Sequence, residues 1–565
     1  MRRLQNSSKP TAVRTPVSPR PVNNKPSLRT RRGDSARRKV GLGFVLERAR
    51  ERAMDAVRMA DLPTTGTDVL VVGAGPTGLM AGLVLTRRGV PVVVVDQKAG
   101  PTRESRALAV QARTMEIYDQ LGLADQVLSG AYPALRMQIG TDPPLGGVSI
   151  ADLQQGETRF PGIQIFEQSA NEQLLSGSLA AAGTEVLWRH RLVDLVDDVD
   201  QTHAGVVALL DGPGGLVRVR ARWCIGADGA RSAVRRELDI PFEGVTDDAT
   251  FWVADLRGVR GLPDNSMAAR FGDTTFSVAF PLGPAGHARL VALAPRDDIG
   301  QEEALAAARD DLGLTHEEVD WFSSYRVHHR VAAAFRKGSV FLAGDAGHVH
   351  SPVGGQGMNT GLQDAHNLAL LLADVRQERL DTAALDRYEQ ERRPVAVILV
   401  KVTDRLFGFI GRRNRRTALL RRRVSGIGAH LAPRLLSTRF GRRIGGYLGQ
   451  YRIRYRFAAK NAPTPAWAAD PAVGLRLPPV PDNHVPLRTL AWQVHTYGTE
   501  TIRPDLPAWI EGPHRFPADH KGRLQAGRLY LIRPDGYVAA SLPIDSGHVS
   551  DADLRDALAA HQLRN

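Results

Sequence analysis

The sequence predicts an α/β fold in which a parallel sheet is interleaved with a β-rich region and followed by a smaller domain at the carboxyl end. Strand and helix patterns alternate from Asp68 onward, which is typical of a parallel sheet. Segments of β pattern separate these α/β units along the chain. The chain has 565 residues, of which 43% are apolar. It is therefore long enough for a large core and two or three domains.

The α/β units are recognised by short apolar runs followed by helical periodicity. Asp68–Val72 is predicted to be a buried strand, Thr77–Arg88 a helix and Pro91–Val95 a second strand. Later in the chain, Arg222–Ala227 is predicted to be another strand and Ser339–Ala373 a strand-turn-helix unit. Together these segments predict the parallel sheet.

Three segments between these units carry β pattern instead: Thr250–Asp255, Thr275–Pro281 and Ala288–Ala294. We expect them to form a sheet that covers a substrate. The chain segments assigned to this region are approximately residues 130–167 and 246–334.

The amino-terminal end differs from this α/β body. Residues 1–60 form a basic extension with little apolar periodicity, and we expect about the first 40 residues to be disordered. Our preferred explanation is a true start codon at Met54 or Met59. A basic targeting or docking arm is the alternative.

The carboxyl-terminal part contains two further regions. Residues 401–460 are predicted to be arginine-rich helices. Their run Arg412–Arg423 is either a solvated helix face or a docking surface for an anionic membrane or another domain. Residues 461–565 are predicted to form a smaller domain with a hairpin, Arg528–Ala540, that turns at Pro534-Asp535-Gly536.

The distribution of charge argues against a nucleic-acid-binding protein. The net charge is +14, but residues 1–60 hold 16 Lys/Arg against 4 Asp/Glu, and residues 401–460 hold 17 against 1. The rest of the chain is therefore acidic, and it shows no basic stripe with interleaved aromatic residues. The single cysteine, Cys224, excludes an internal disulfide. No apolar run is long enough to predict a transmembrane helix, so we expect a cytoplasmic protein.

A glycine motif follows the first predicted strand and begins the first predicted helix. In Gly73-Ala74-Gly75-Pro76-Thr77-Gly78, Gly73 allows a tight turn, Gly75 lets the backbone approach a pyrophosphate, and Gly78 lets the helix pack closely. Asp96 ends the following strand, where its carboxylate can accept hydrogen bonds from a ribose. This context predicts a dinucleotide site, and the motif alone leaves FAD and NAD open.

Two further motifs bear on the choice of dinucleotide. Asp228-Gly229 lies in the segment Cys224–Arg235, and Gly344-Asp345 lies in the segment Phe341–Asn359. With the glycine motif, they stand in the order and spacing by which the chain resembles the single-component FAD-dependent monooxygenases, the para-hydroxybenzoate hydroxylase and phenol hydroxylase superfamily. The resemblance covers about residues 66–400. It implies a Rossmann-like FAD-binding domain interleaved with the substrate sheet.

The resemblance also implies roles for residues of the last motif. Asp345 would hold the ribityl chain of FAD, and Pro352 would lie on the face of the flavin. Backbone groups at a helix N-terminus would face the isoalloxazine ring, where N–H groups stabilise the negative charge of the reduced ring. The residues concerned are Gly355, Gly357, Met358 and Asn359.

Other implied FAD contacts lie earlier in the chain. Asp228 and Gly229 would lie near the pyrophosphate and the nicotinamide access. Arg106 and Arg113 lie in stretches through which arginines of this family reach FAD, and Arg106 joins Pro352 as a candidate catalytic residue. Gln168 would be a further flavin contact. For Arg113, a structural ion pair is an equal alternative.

The sequence around these arginines favours the branch of the family that hydroxylates polyketides, phenols and antibiotics. The carboxyl-terminal region supports this branch, since Gly474–Val480, Leu487–Val494 and Leu529–Ala539 resemble the thioredoxin-like domain that ends many such enzymes. The active thiols of thioredoxin are absent here. The role of this thioredoxin-like domain would then be packing or contacts in a homodimer.

The implied function is hydroxylation of a small aromatic or polyketide-like substrate by FAD, with NADPH or NADH and O2, through a flavin hydroperoxide. A flavoprotein reductase or cyclase of the same fold is one alternative. A non-catalytic flavoprotein that sequesters an aromatic compound is another. His348 and His350 have no partner ligands at metal spacing, so no metal site is predicted.

Overall fold

The computed structural model describes residues 62–103, 107–140, 144–198, 205–271, 276–294, 299–351, 355–411, 439–457, 464–498, 502 and 504–564. The predicted extension 1–60 and the run Arg412–Arg423 lie outside these residues, as do Arg106 and Pro352. Residues Pro63–Asn565 form one compact unit.

Eleven α-helices are described in this unit. They are α1 (Pro76–Arg87), α2 (Ala112–Gln120), α3 (Ala124–Gly130), α4 (Ile150–Gln154), α5 (Gln168–Ala181), α6 (Ala233–Glu237), α7 (Gln301–Leu312), α8 (Gly357–Arg376), α9 (Asp386–Gly411), α10 (Arg439–Leu448) and α11 (Asp551–Ala560).

Twenty-three strands are described. They are β1 (Thr64–Val72), β2 (Val92–Asp96), β3 (Ala109–Val110), β4 (Tyr132–Ala134), β5 (Arg136–Gly140), β6 (Pro144–Ser149), β7 (Ile163–Ile165), β8 (Val186–Trp188), β9 (Arg191–Asp198), β10 (Gly205–Gly212), β11 (Gly215–Gly226), β12 (Phe242–Arg257), β13 (Ser266–Phe271), β14 (Phe276–Gly283), β15 (His287–Leu293), β16 (Glu318–Ala332), β17 (Arg336–Lys337), β18 (Val340–Leu342), β19 (His348–Val349), β20 (Gln493–Tyr497), β21 (Glu511–Phe516), β22 (Arg528–Ile532) and β23 (Val538–Pro543).

The predicted parallel sheet is present. Strands β18, β11, β1, β2 and β8 run parallel in that order, and β10 and β9 extend the sheet in antiparallel fashion from β11. The segment Val69–Val72 is buried at the centre, as its apolar run predicts. Cys224 lies in β11, where it is fully buried, and this burial raises the pKa of its thiol. The α/β class is therefore confirmed.

Strand β1 begins four residues earlier than its apolar run predicts. Residues Thr64–Thr67 are polar and partly exposed, yet they pair with β11 from Thr64 opposite Arg218 to Thr67 opposite Ala221. Backbone pairing to a neighbouring strand extends β1, and such pairing leaves no apolar signal in the sequence.

A second, mostly antiparallel sheet has the order β19-β16-β12-β15-β14-β13-β5-β6. Its longest strands, β12 and β16, pair along most of their length. Helix α7 lies against this sheet, since Leu305 and Trp252 belong to one buried apolar cluster. The three segments predicted from β pattern correspond to β12, β14 and β15 of this sheet, except that Ala294 follows β15 and Thr275 lies outside the described residues.

The carboxyl-terminal region forms a four-stranded sheet in the order β21-β20-β22-β23, in which β20 and β21 are parallel. Strands β22 and β23 form the predicted hairpin, and Gly536 has the positive φ of +73° that its turn requires. A fourth sheet has three strands, in the order β3-β7-β4. None of the helices in the described part of the chain is long and apolar enough to cross a membrane.

Candidate active site

The glycine motif forms a tight turn between β1 and α1. Gly73 has φ +106°, and a Cβ atom there would lie 2.3 Å from the carbonyl oxygen of Ala227. A Cβ atom at Gly78 would lie 1.8 Å from the carbonyl oxygen of Gly73. A Cβ atom at Gly75 would meet nothing within 4 Å. Two glycines of the motif are therefore required for packing, and the third faces open space.

The carboxylate of Asp96 holds this turn in place. At the end of β2, its Oδ2 accepts a hydrogen bond from the backbone N–H of Ala74 at 2.6 Å, and its Oδ1 accepts one from the N–H of Lys98 at 2.7 Å. Each carboxylate oxygen has a second lone pair. Asp96 can therefore orient the turn and accept a further hydrogen bond from a ligand.

Helix α1 presents an uncapped N-terminus to the same open space. No side chain caps its first turn, and that turn contains no acidic residue. Pro76 begins the helix, where its lack of an N–H costs no hydrogen bond. The free N–H groups and the positive end of the helix dipole suit a phosphate.

The other two motifs lie against the glycine turn. The Cβ position of Gly73 is 2.8 Å from the backbone nitrogen of Asp228, and the Cβ position of Gly344 is 2.5 Å from Oγ1 of Thr77. Gly361, in the first turns of α8, has the same short distance to Oγ1 of Thr77. Three motifs that are far apart in sequence therefore meet around one turn.

Asp345 lies in a short 3-10 turn, Gly344–Ala346, after β18. Its side chain is exposed, and no hydrogen bond to its carboxylate is present among the described residues. Surrounding protein nevertheless desolvates the group and raises the pKa of Asp345, an effect that nearby His348 opposes. An unpartnered acceptor in such a position suits the hydroxyl groups of a ligand.

Asp228 has a structural role that the sequence did not predict. Its Oδ2 accepts hydrogen bonds from the N–H groups of Ala233 at 2.6 Å and Val234 at 3.1 Å, at the start of α6. Its Oδ1 is buried and has no hydrogen-bond partner among the residues that the structure describes. Burial raises the pKa of Asp228, although these hydrogen bonds act in the opposite direction. Gly229 follows with φ +81° and open space at its Cβ position.

The N-terminus of α8 carries the predicted flavin-facing backbone. Its first turn has neither a side-chain cap nor an acidic residue. Gly355 has φ +60°, and a Cβ atom there would lie 2.9 Å from Cβ of Ala109. Gly357 begins the helix, and the sulfur of Met358 lies 3.5 Å from Nδ2 of Asn171.

The side chain of Asn359 is fully buried and has four hydrogen bonds. Its Nδ2 donates to the carbonyl oxygens of Ala109 at 2.7 Å and Gly355 at 2.8 Å. Its Oδ1 accepts from the N–H of Gln111 at 2.8 Å and from Oγ1 of Thr114 at 2.7 Å. The side chain therefore joins α8 to α2, and its two N–H groups and its oxygen are all used within the protein.

Arg113 and Gln168 make contacts within the protein. Arg113 forms an ion pair with Glu116 at 3.2 Å and donates to the carbonyl oxygen of Asp535 in the carboxyl-terminal region. This geometry favours the ion-pair alternative for Arg113. Gln168 begins α5, and its Nε2 donates to Glu172 at 2.9 Å.

The structure also shows a buried charged group that sequence reasoning missed. Asp364 and Arg392 are both fully buried and form an ion pair of 2.7 Å. Oδ2 of Asp364 lies 2.7 Å from Nε2 of His348 and accepts from the N–H of Gly344 at 3.3 Å. One feature of the sequence could have revealed this buried group: Asp364 is a charged residue within the apolar helical pattern of α8.

Comparison with known proteins identifies the family. A model described as "FAD binding domain" matches residues 66–403, which contain all three motifs. The chain belongs to this family. FAD is therefore the cofactor of this chain.

Two relatives of this FAD-binding family member are named as monooxygenases. The 12-dehydrotetracycline 5-monooxygenase/anhydrotetracycline 6-monooxygenase of Streptomyces rimosus is 30% identical over 514 residues, 85% of this chain and 96% of that protein. The 6-methylpretetramide 4-monooxygenase of Streptomyces rimosus is 36% identical over 367 residues. That match covers 62% of this chain and 63% of the relative's length.

A solved structure resembles most of the chain. The OxyS anhydrotetracycline hydroxylase from Streptomyces rimosus is 28% identical, with a TM-score of 0.67, and the match covers 88% of this chain and 99% of that structure. Together with the family match, these comparisons confirm the resemblance of this FAD-binding chain to FAD-dependent aromatic hydroxylases.

The open side of Gly75 leads to a prediction about FAD affinity. Replacing Gly75 with valine should leave the fold intact, since no atom lies within 4 Å of the new Cβ. It should weaken FAD binding about tenfold or more, equivalent to about 1.4 kcal/mol, because the side chain occupies the approach to the pyrophosphate. Titration of the apoprotein with FAD, followed by flavin fluorescence, measures this.

Gly66→Val is the matched control, because Gly66 in β1 is exposed and also has nothing within 4 Å of its Cβ position. Its FAD affinity should equal that of the wild type. If Gly75→Val binds FAD as tightly as Gly66→Val does, FAD does not approach Gly75.

Proposed function

We propose that the protein is an FAD-dependent monooxygenase that hydroxylates an aromatic or polyketide-like substrate with NAD(P)H and O2. The observation that carries this proposal is the meeting of three motifs around one turn, described above. The names of the tetracycline-pathway relatives support a polycyclic aromatic substrate.

The described residues would bind and orient FAD. The turn over Gly75 and the N-terminus of α1 would hold the pyrophosphate, Asp96 a ribose, and Asp345 the ribityl chain. Asp228-Gly229 would lie near the pyrophosphate and the nicotinamide access, and Gln168 would contribute a flavin contact. Bound FAD supplies hydride acceptance and the activation of O2.

Other parts of the protein would control the environment of the reaction. The positive end of α8, with backbone groups of Gly355, Gly357, Met358 and Asn359, would stabilise negative charge on the reduced ring. The second sheet would cover the substrate and exclude water. Arg106 and Pro352 remain our candidates for contact with the flavin near the reacting atoms.

We further propose that the FAD-binding domain is Rossmann-like, occupies residues 66–400 and is interleaved with substrate parts at about 130–167 and 246–334. The carboxyl-terminal part would be a thioredoxin-like domain without redox cysteines. Its four-stranded mixed sheet and helix α11 support this assignment. We also propose a cytoplasmic location and a homodimer.

Turnover under isotopically labelled dioxygen tests the function. Phenols, polycyclic polyketides, and tetracycline or ansamycin antibiotics form the panel, screened by NAD(P)H oxidation. With an accepted substrate, we expect the product to gain one oxygen atom from O2. Without substrate, NAD(P)H oxidation should be slow and yield hydrogen peroxide.

The same experiment separates the alternatives. A reductase or cyclase would turn over equally well without O2, and a sequestering protein would bind the aromatic compound without consuming NAD(P)H. A new oxygen atom that came from water would refute the hydroxylase proposal. The assignment to the FAD-binding family would stand in each case.

A further inference from the structure

The turn between β22 and β23 is buried against the helices of the flavin site. Arg533 donates two hydrogen bonds to Glu391 of α9, at 2.6 and 2.8 Å. Asn367 of α8 donates to the same Glu391 at 2.9 Å and to Asp535 at 3.3 Å. All four side chains are at most 7% exposed. The carboxyl-terminal region is therefore joined to α8 and α9 by buried charged groups.

An aromatic pair extends this contact towards the site. The rings of Tyr537, just after the turn, and Tyr455 are stacked with their centroids 4.2 Å apart. The hydroxyl of Tyr455 accepts a hydrogen bond from Nη1 of Arg392 at 3.1 Å. Tyr455 thus contacts both Tyr537 of the carboxyl-terminal region and Arg392 of the buried Arg392–Asp364 ion pair.

Arg392 leads from Tyr455 to the turn that carries Asp345. Its Nε donates to Oδ1 of Asp364 at 2.7 Å. The other carboxylate oxygen of Asp364 is hydrogen-bonded to Gly344, which begins that turn, and to His348, which follows it. Burial alone would raise the pKa of Asp364, but Arg392 and His348 outweigh burial and lower it. The ionised carboxylate can then accept both hydrogen bonds.

We propose that Tyr455 is a positioning residue for the flavin site, acting through Arg392 and Asp364 on the turn that presents Asp345. The inference rests on the proposed role of Asp345 in binding FAD. It assigns to Tyr455, which is stacked on Tyr537 of the carboxyl-terminal region, a contribution to the cofactor site in addition to packing.

The geometry of Arg392 explains why one hydroxyl matters. Its guanidinium is fully buried and donates to three acceptors: Asp364, Tyr455 and the carbonyl oxygen of Thr360. A planar guanidinium has a fixed arrangement of N–H groups. Without the Tyr455 hydroxyl, one buried N–H group loses its partner, and Arg392 must shift to recover one. Such a shift moves Asp364 and hence the Asp345 turn.

The test is the substitution Tyr455→Phe, which removes the hydroxyl and keeps the stacked ring. We expect FAD affinity to fall about fivefold, the low end of couplings between sites in proteins. The visible absorption band of the bound flavin should shift as well, because the environment of the ring changes. Titration of the apoprotein with FAD and the spectrum of the holoprotein provide these readouts.

Tyr530→Phe is the matched control. Tyr530 of β22 is also fully buried, and its hydroxyl donates to Asp470 at 3.0 Å and accepts from the N–H of Gln525 at 2.7 Å. These partners lie within the carboxyl-terminal region. Its loss should lower the melting temperature without changing FAD affinity or the flavin spectrum.

Each outcome decides between the inference and its alternatives. If Tyr455→Phe matches Tyr530→Phe in FAD affinity and spectrum, Tyr455 has only a structural role and the inference is wrong. A lower affinity and a shifted band in Tyr455→Phe alone support it. If the wild type itself binds no FAD, the proposed function fails instead.

Discussion

Asp345→Ala is expected to yield a folded protein that loses its FAD on dialysis. The substitution removes an acceptor for the ribityl hydroxyls, and hydrogen bonds to a charged group contribute about 1.5–3 kcal/mol each. Affinity should therefore fall about 10- to 100-fold for each hydrogen bond lost. Fluorescence titration with FAD and the flavin content after dialysis measure this loss.

The fold itself should tolerate changes at Asp345. Folding raises the pKa of Asp345. The contribution of this carboxyl group to the stability of the folded protein is therefore lost as the pH rises through its folded-state pKa. At neutral pH, the Asp345→Asn apoprotein should be at least as stable as the wild-type apoprotein. Asp381→Ala, at an exposed ion pair with Arg564, is the control for FAD retention. If Asp345→Ala retains FAD as the wild type does, Asp345 is not a ligand.

Arg533→Met is expected to destabilise the protein by about 3–5 kcal/mol, the range for breaking a buried ion pair by removing one partner. Glu391 and Asp535 would remain buried with less compensating charge. Burial alone would raise the pKa of Glu391, but Arg533, Arg387 and Asn367 outweigh it and lower the pKa to about 2. Equilibrium unfolding in urea measures the loss.

Arg564→Met is the control for this prediction. Arg564 pairs with Asp381 near the surface, where both side chains are about half exposed, and such pairs contribute about 0–1 kcal/mol. A similar small loss for Arg533→Met would contradict the proposed importance of the buried pair. Because the pKa of Glu391 is depressed, its stabilisation should also disappear as the pH falls from about 4.3 towards 2.

The sequence predicted secondary structure best where an element is determined by residues that are neighbours along the chain. The apolar run before Gly73 and the periodicity after Pro76 placed β1 and α1 within a few residues. The hairpin at Asp535-Gly536 was predicted from its turn residues. In each case the physical cause lies in neighbouring residues, so one segment suffices to recognise it.

Contacts between distant segments were not predictable in the same way. Asp364 and Arg392 are 28 positions apart, and Arg113 meets Asp535 across 422 positions. For Arg113 the sequence left two interpretations open, an FAD contact and a structural ion pair. The sequence pattern around an arginine does not show which acceptor its side chain reaches. The side-chain contacts of Asn359 were missed for the same reason: they depend on how α2 packs against α8.

The state of Cys224 makes the protein convenient for spectroscopy. Its thiol is the only one in the chain, is fully buried in β11, and has a raised pKa, so little reactive thiolate is available to alkylating reagents. A cysteine introduced at an exposed position would therefore carry a fluorophore or spin label selectively, without prior removal of native thiols. Labels on the second sheet and on the carboxyl-terminal region could then report distances between the two during turnover.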